Sequence, residues 1–179
     1  RQIKDDNDVK NFLTPDLLNN LPNPYLLKDM EKCVNKTLES INNKKKIGII
    51  TDYDVDGSTS AAILFNFLTF IGIECIIKVP ERLNEGYGPN KRILDELIKD
   101  KVNLIFTLDC GTTSFEIFKS FKSQSKNIIV IDHHISEEIL PDVFGIINPN
   151  RYDENNYFKE LAAVGITFLF LLALAFYYL

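Results

Sequence analysis

The sequence predicts an α/β fold, a parallel sheet with helices on both faces, and three observations predict it. Short apolar runs alternate with helical stretches along most of the chain. The runs are apolar on both faces, as strands sandwiched between two helical layers must be. Three of them end in an aspartate, and in such sheets ligands bind outside the carboxyl ends of the strands. With 179 residues, 45% of them hydrophobic and 25% charged, the chain can bury one sizeable core.

The elements follow in order. The chain opens at Arg1 with no basic stretch leading into an apolar run, so no secretory signal is read, and further residues are expected ahead of it. From Pro24 to Ser40, Leu26, Leu27, Met30, Val34 and Leu38 recur at three-to-four spacing, which predicts an amphipathic helix ahead of the main domain. The division is an N-terminal helical segment over residues 1–45 and a main domain over 46–179. Strands are predicted at Ile47 to Thr51, Cys75 to Val79, Leu104 to Leu108, Ile128 to Ile131 and Gly145 to Ile147. Helices are predicted between them, at Ser58 to Phe70, Asn90 to Asp100 and Ser114 to Phe121. The last stretch, Leu161 to Leu179, has no charged residue and by length alone could span a membrane. It is read instead as a core helix, and no membrane association is expected.

Twenty basic against 25 acidic residues give a net charge of -5, which argues against a broad basic surface that clamps nucleic acid. It leaves room for an enzyme of nucleic acids whose carboxylates hold cations, because the bound ions invert the local field. Cys33, Cys75 and Cys110 are odd in number and form no C-x-x-C pair, so neither a disulfide framework nor a zinc knuckle is supported. A reducing cytoplasm fits that usage.

The chemistry gathers on one predicted rim. Asp52 ends the first strand and continues as Asp52-Tyr53-Asp54-Val55-Asp56-Gly57, a loop with two more carboxylates before a helix. Asp109 ends the third strand, and Asp132 ends the fourth and continues into His133 and His134, which are the chain's two histidines. Clustered aspartates repel each other unless a cation joins them. Oxygen ligands with imidazoles suit manganese or magnesium, and two such ions can clamp an in-line displacement at phosphorus. Two look-alikes fail. The aspartate run matches the first half of an EF-hand loop, but its twelfth position is Ile63, where a bidentate glutamate is required. Haloacid-dehalogenase-type phosphatases place their first aspartate directly after a buried strand, whereas Asp54 is displaced from the strand end, and that scheme gives His133 and His134 no role.

Asp132-His133-His134, together with the Asp52 to Gly57 segment and Leu108-Asp109-Cys110-Gly111, resembles motifs one to three of the DHH phosphoesterases. Further segments resemble the RecJ branch of that family: Pro80-Glu81-Arg82 through Glu85-Gly86-Tyr87-Gly88, Asn23 to Met30, Asn148-Pro149, and Leu161 to Gly165. The resemblance implies removal of 5'-terminal nucleotides from single-stranded DNA with Mn2+ or Mg2+, in DNA repair and recombination. It implies Asp54, Asp56, Asp109 and His133 as metal ligands, with Asp52 a further ligand or a supporting group. His134 would face the scissile phosphate, and Asp132 would orient its neighbours. Arg82 and Tyr87 would contact phosphate and stack on a base. In the family a further aspartate, beyond the Val-Gly motif, completes the site. No residue here matches it, so the chain is read as truncated, with a weakly held second ion and little or no turnover expected from the fragment alone. Two alternatives stay open: a relative acting on short oligonucleotides, cyclic dinucleotides or pyrophosphate, or a non-catalytic remnant. Protein partners are not indicated.

Overall fold

A computed structural model describes residues 4–178; positions 1–3 of the predicted N-terminal segment and Leu179 of the predicted last helix lie outside the described residues. Five strands form one parallel sheet: β1 (Ile47–Thr51), β2 (Cys75–Lys78), β3 (Leu104–Leu108), β4 (Ile128–Ile131) and β5 (Gly145–Ile147). Their order across the sheet is β2-β1-β3-β4-β5. The chain therefore winds outward from β1 in one direction to β2 and in the other through β3, which puts a topological switch point, and a crevice, between β1 and β3.

Two helical layers cover the sheet, as the doubly apolar strands require. On one face lie α3 (Met30–Asn42), α4 (Val55–Phe70) and α8 (Ala163–Tyr178), which share a core with Ile47, Ile49, Phe106 and Ile129. Phe106 and Phe170 meet edge to face there, their centroids 5.6 Å apart. On the other face α5 (Lys91–Lys99) and α6 (Phe115–Ser120) bring Ile93, Leu94, Leu97 and Phe118 against Ile50, Ile105 and Val130. The N-terminal segment belongs to this packing: Leu27, Met30, Cys33 and Val34 are buried in the same core as β1 and α8. Among the described residues no helix is long and apolar enough to cross a membrane, and all three cysteines are free.

Several boundaries differ from the sequence expectation, each for a local reason. The predicted helix from Pro24 divides into a 3-10 turn (Pro24–Leu26) and α3, because Asp29 stands between them in the left-handed region at φ 63°. The second predicted strand ends at Lys78 and lies at the sheet edge, half exposed, so it is not apolar on both faces; Lys78 turns its ammonium onto Glu96 of α5 at 2.7 Å. The stretch Ser114 to Phe121 yields α6 and then one further turn, α7 (Lys122–Ser125). Two short helices ahead of α3, α1 (Asp6–Leu13) and α2 (Leu17–Asn20), fall within the expected N-terminal helical segment, although the sequence placed no individual helix there; α1 buries no residue.

Candidate metal centre

Three aspartates continue the sheet by one residue each. Asp52 donates its backbone N–H to the Leu108 carbonyl (3.3 Å), Asp109 to Ile131 (2.9 Å) and Asp132 to Ile147 (3.1 Å), so the three stand side by side at the carboxyl ends of β1, β3 and β4. Asp52 and Asp109 flank the switch point, where the fold opens its crevice.

The segment after Asp52 is less of a loop than the sequence suggested. Asp54 is the N-cap of α4: its Oδ1 accepts from the Gly57 N–H at 2.9 Å, so the helix starts at Val55 and Asp56 lies in its first turn. Gly57 is required by space, since a Cβ there would stand 2.6 Å from the Asp52 carbonyl oxygen. Thr51 locks the same corner by donating its hydroxyl to the Gly57 carbonyl at 2.7 Å. The helix start is thereby pressed against the end of β1, and Asp54 is brought to Asp52.

Two groups of ligand atoms result, and they share Asp109. Asp52, Asp54 and Asp109 offer carboxylate oxygens that all lie within 4.8 Å of one another, and Asp109, His133 and His134 do the same with one oxygen and two ring nitrogens. Asp56 adjoins the second group: His133 Nε2 is 3.6 Å from its Oδ2 and 3.2 Å from Asp109 Oδ1. Asp56 has another engagement that the sequence did not reveal. Its two oxygens accept from the backbone N–H groups of Ala163 (2.7 Å) and Val164 (2.8 Å), so it caps α8 from a distance of more than a hundred positions along the chain.

The electrostatics of the cluster fit a cation. Asp109 is 1% exposed, and burial, followed by repulsion from Asp56 and Asp54, pushes its carboxyl up to about 8. Its Oδ1 has no hydrogen-bond partner among the described residues, although His133 Nε2 lies only 3.2 Å away; the contact is close, but the ring N–H is not directed along a hydrogen bond. A buried, partnerless carboxylate oxygen facing imidazole nitrogens and further carboxylates is a donor set for a hard or borderline divalent ion. Asp52 is raised as well, first by burial.

Asp132 is the exception, and its role differs accordingly. Burial alone would raise it, but hydrogen bonds from His134 and Thr112 outweigh that and hold its carboxyl below the ordinary range. Its Oδ1 receives His134 Nδ1 at 2.7 Å and the His133 backbone N–H at 2.8 Å; its Oδ2 receives the Thr112 N–H at 3.1 Å. An ionised Asp132 makes Nδ1 the protonated nitrogen of His134, leaving Nε2 for an incoming group, and the same contact raises the imidazole's own pKa. Two asparagines complete the turn. Asn148, fully buried, donates to the His134 carbonyl (2.8 Å) and Asn150 to the His133 carbonyl (2.5 Å). The sequence marked Asn148 only as part of a family-like segment, without a task.

The two expected substrate-contacting residues are placed differently. The guanidinium of Arg82 lies over the Tyr53 ring, 5.1 Å from its centroid, exposed beside the aspartate run. Tyr87 points into the cluster: its hydroxyl donates to the Asp109 carbonyl at 2.6 Å and stands 3.2 Å from His134 Nδ1.

With that geometry established, comparison with known proteins is specific. The DHH family, N-terminal domain, matches residues 46–177. The single-stranded-DNA-specific exonuclease RecJ of Bacillus subtilis is 33% identical over 145 residues, covering 81% of this chain and 18% of the relative. RecJ of Haemophilus influenzae is 34% identical over 157 residues, covering 87% of this chain and 27% of the relative. This chain thus spans about a quarter or less of those proteins' length. Among solved structures, exonuclease RecJ bound to manganese superposes with a TM-score of 0.76 at 28% identity, over 85% of this chain and 38% of that one. RecJ of Thermus thermophilus in complex with Mn2+ gives 0.70 at 25% identity, over 85% of this chain and 21% of the other.

Proposed function

This chain belongs to the DHH family, and from that premise we propose that it carries the metal-binding and hydrolytic residues of a RecJ-type exonuclease acting 5' to 3' on single-stranded DNA, in repair and recombination. The observation that carries the proposal is the pair of donor groups sharing Asp109 at the switch point of the sheet. Asp52, Asp54 and Asp109 would hold one Mn2+ or Mg2+, and Asp109, His133 and Asp56 a second, the ions serving to acidify a water and to neutralise charge on the phosphoryl oxygens.

The chain's own residues divide the remaining work. Asp132 holds Nδ1–H of His134 and so aims Nε2 outward, and the raised pKa of that imidazole favours its charged form, in which Nε2–H can donate to a phosphate oxygen. Arg82, held over Tyr53, supplies a second cation at the mouth, where a backbone phosphate can take it up bidentately. The rest of the surface has no need to be basic, which reconciles the net charge of -5 with a polyanionic substrate. Three free thiols support a reducing, cytoplasmic setting. The division into an N-terminal helical segment over 1–45 and a DHH domain over 46–179 is part of the same proposal.

The test is release of mononucleotides from 5'-labelled single-stranded DNA in Mn2+ by this chain within a version extended over the length of its relatives, beside a blunt duplex and a cyclic dinucleotide. Release from the single strand, lost on chelation, is expected. Turnover of the cyclic dinucleotide in its place would move the chain to another substrate within the family, and Mn2+ binding without turnover of any of them would overturn the hydrolytic reading.

A further inference from the structure

Residues 80–90 form a strap that runs from the end of β2, across the carboxyl rim, to the start of α5. Its base is tied down: the Arg92 guanidinium of α5 donates to Glu85 Oε2 at 2.7 Å, and the same oxygen accepts the Glu81 N–H at 2.7 Å. At its tip Tyr87 stands between Gly86 and Gly88, both in the left-handed region (φ 77° and 82°), a conformation that glycine alone adopts without strain. Gly88 passes just above the turn after β3, where a Cβ would lie 3.8 Å from Cys110 Cβ. The strap thus turns the Tyr87 hydroxyl inward while the residue stays 47% exposed.

What Tyr87 meets there is unusual. Asp109, besides offering the shared carboxylate, has a left-handed backbone at φ 58°, a conformation uncommon outside glycine. The Tyr87 hydroxyl donates to the carbonyl of that residue at 2.6 Å. The hydroxyl oxygen also faces His134 Nδ1 at 3.2 Å, and the two rings meet edge to face with centroids 5.6 Å apart. Since Nδ1–H donates principally to Asp132 at 2.7 Å, the tyrosine oxygen is its second acceptor. One hydroxyl therefore links the backbone of the common metal-holding residue to the ring of the phosphate-facing histidine.

We propose that Tyr87 is a positioning residue for the metal centre, its hydroxyl fixing the Asp109 peptide and the His134 ring, in place of the base-stacking role expected from the sequence. The inference rests on the reading of Asp109 as a metal ligand. Stacking would use the ring face and tolerate phenylalanine; positioning uses the hydroxyl and does not. The two roles separate cleanly by variant.

Tyr87→Phe and Tyr87→Ala are compared with the parent chain in three measurements: Mn2+ affinity by calorimetric titration, the ring 15N shifts of His134 without metal, and affinity for a single-stranded oligonucleotide without metal. Positioning predicts that Tyr87→Phe weakens Mn2+ binding by about fivefold, the equivalent of one lost hydrogen bond. It also predicts that the His134 ring shifts move, and that Tyr87→Ala loses little more Mn2+ or oligonucleotide affinity than Tyr87→Phe. Parent-like Mn2+ affinity and His134 shifts in Tyr87→Phe, with oligonucleotide affinity lost only in Tyr87→Ala, would overturn it in favour of stacking. Neither decisive readout requires cleavage, so failure of the extended version to hydrolyse DNA would defeat the proposed function and still leave this one decidable; were Mn2+ not to bind at all, the His134 shifts would decide alone.

Discussion

Asp29 and Asp109 are the same residue in the same uncommon backbone conformation, at φ 63° and 58°, and the chain treats them in opposite ways. Asp29 lies on the free edge of β5. Its carboxylate accepts the Ile146 N–H at 2.9 Å, and both Arg151 and Lys32 reach it at 2.9 Å. Burial would raise its pKa, but the backbone donor and the two cations prevail and lower it. Asp109 meets other carboxylates and two imidazoles, and its carboxyl is raised to about 8. An acid meant to hold a structure together is supplied with a cation from the chain. An acid left among its own kind at the crevice of the sheet lacks such a partner within the chain, which is what the proposed metal would supply.

The largest effect should come from breaking the second arrangement. Asp109→Ala removes the residue common to both donor groups and should lower Mn2+ affinity, and any Mn2+-dependent cleavage, by on the order of a hundredfold or more. Asp109→Asn sharpens the contrast: it should raise the melting temperature of the metal-free protein near neutral pH, because the folded chain no longer has to take up a proton on a carboxyl that the unfolded chain leaves ionised, and abolish the further rise on adding Mn2+. A metal-free Asn variant less stable than the parent would mean that Asp109 already has adequate compensation.

Breaking the first arrangement should affect stability alone. The Arg151 side chain is largely buried and also donates to the Ile146 carbonyl at 2.7 Å, so Arg151→Met strips Asp29 of one of its two cations and leaves that carbonyl short of a donor. A loss of about 3 kcal/mol in urea unfolding is expected, with Mn2+ affinity unchanged. A change in Mn2+ affinity of similar size would show that the β5 edge and the rim are coupled.

The two acids should also give opposite pH dependences. Asp109 titrates at about 8 folded against about 3.8 unfolded, so between those values the folded protein binds the extra proton. Metal-free stability therefore falls as pH rises through that window, with a contribution approaching about 1.4 kcal/mol per pH unit. Asp29 is lowered on folding, so its contribution is present above its unfolded pKa and lost as pH falls below it. Unfolding free energies of the parent and Asp109→Asn across pH 4 to 8 check this: the falling slope should flatten in the variant, and equal slopes would remove Asp109 as its cause.

How much of this the sequence disclosed depends on the range of the interaction. The strand ends were legible because each is an apolar run stopped by an aspartate, and the sheet rule assigns such ends to one rim. His133 and His134 follow directly on one of them. The start of α4 was misjudged by three residues because the polar run Asp54-Val55-Asp56-Gly57 reads as a turn, whereas Asp54 caps the helix through the Gly57 N–H. The hydroxyl contacts of Tyr87 span 22 and 47 positions and depend on two left-handed glycines, and the Asn148 contact to the histidine turn spans 14; neither has a local signature. Arg82 was marked as a phosphate contact, but nothing in the residue order shows that Tyr53, lying between two aspartates, supports it.

Asp56 falls between the two extremes, and its substitution should have the smallest effect on stability. It is compensated neither by a full cation nor by none, but by the first N–H groups of α8, which together with the helix dipole amount to about half a positive charge. Asp56→Asn keeps one acceptor oxygen and loses the charge, so α8 should be destabilised by about 1 kcal/mol, measurable as a modest shift in the urea midpoint. The same oxygen that accepts the Ala163 N–H lies 3.6 Å from His133 Nε2. A divalent ion drawn between Asp56 and His133 would compete with the helix for that oxygen's lone pairs. Added Mn2+ should therefore stabilise Asp56→Asn less than it stabilises the parent. An equal increment in both would confine Asp56 to its capping role and leave the second ion to Asp109 and the histidines.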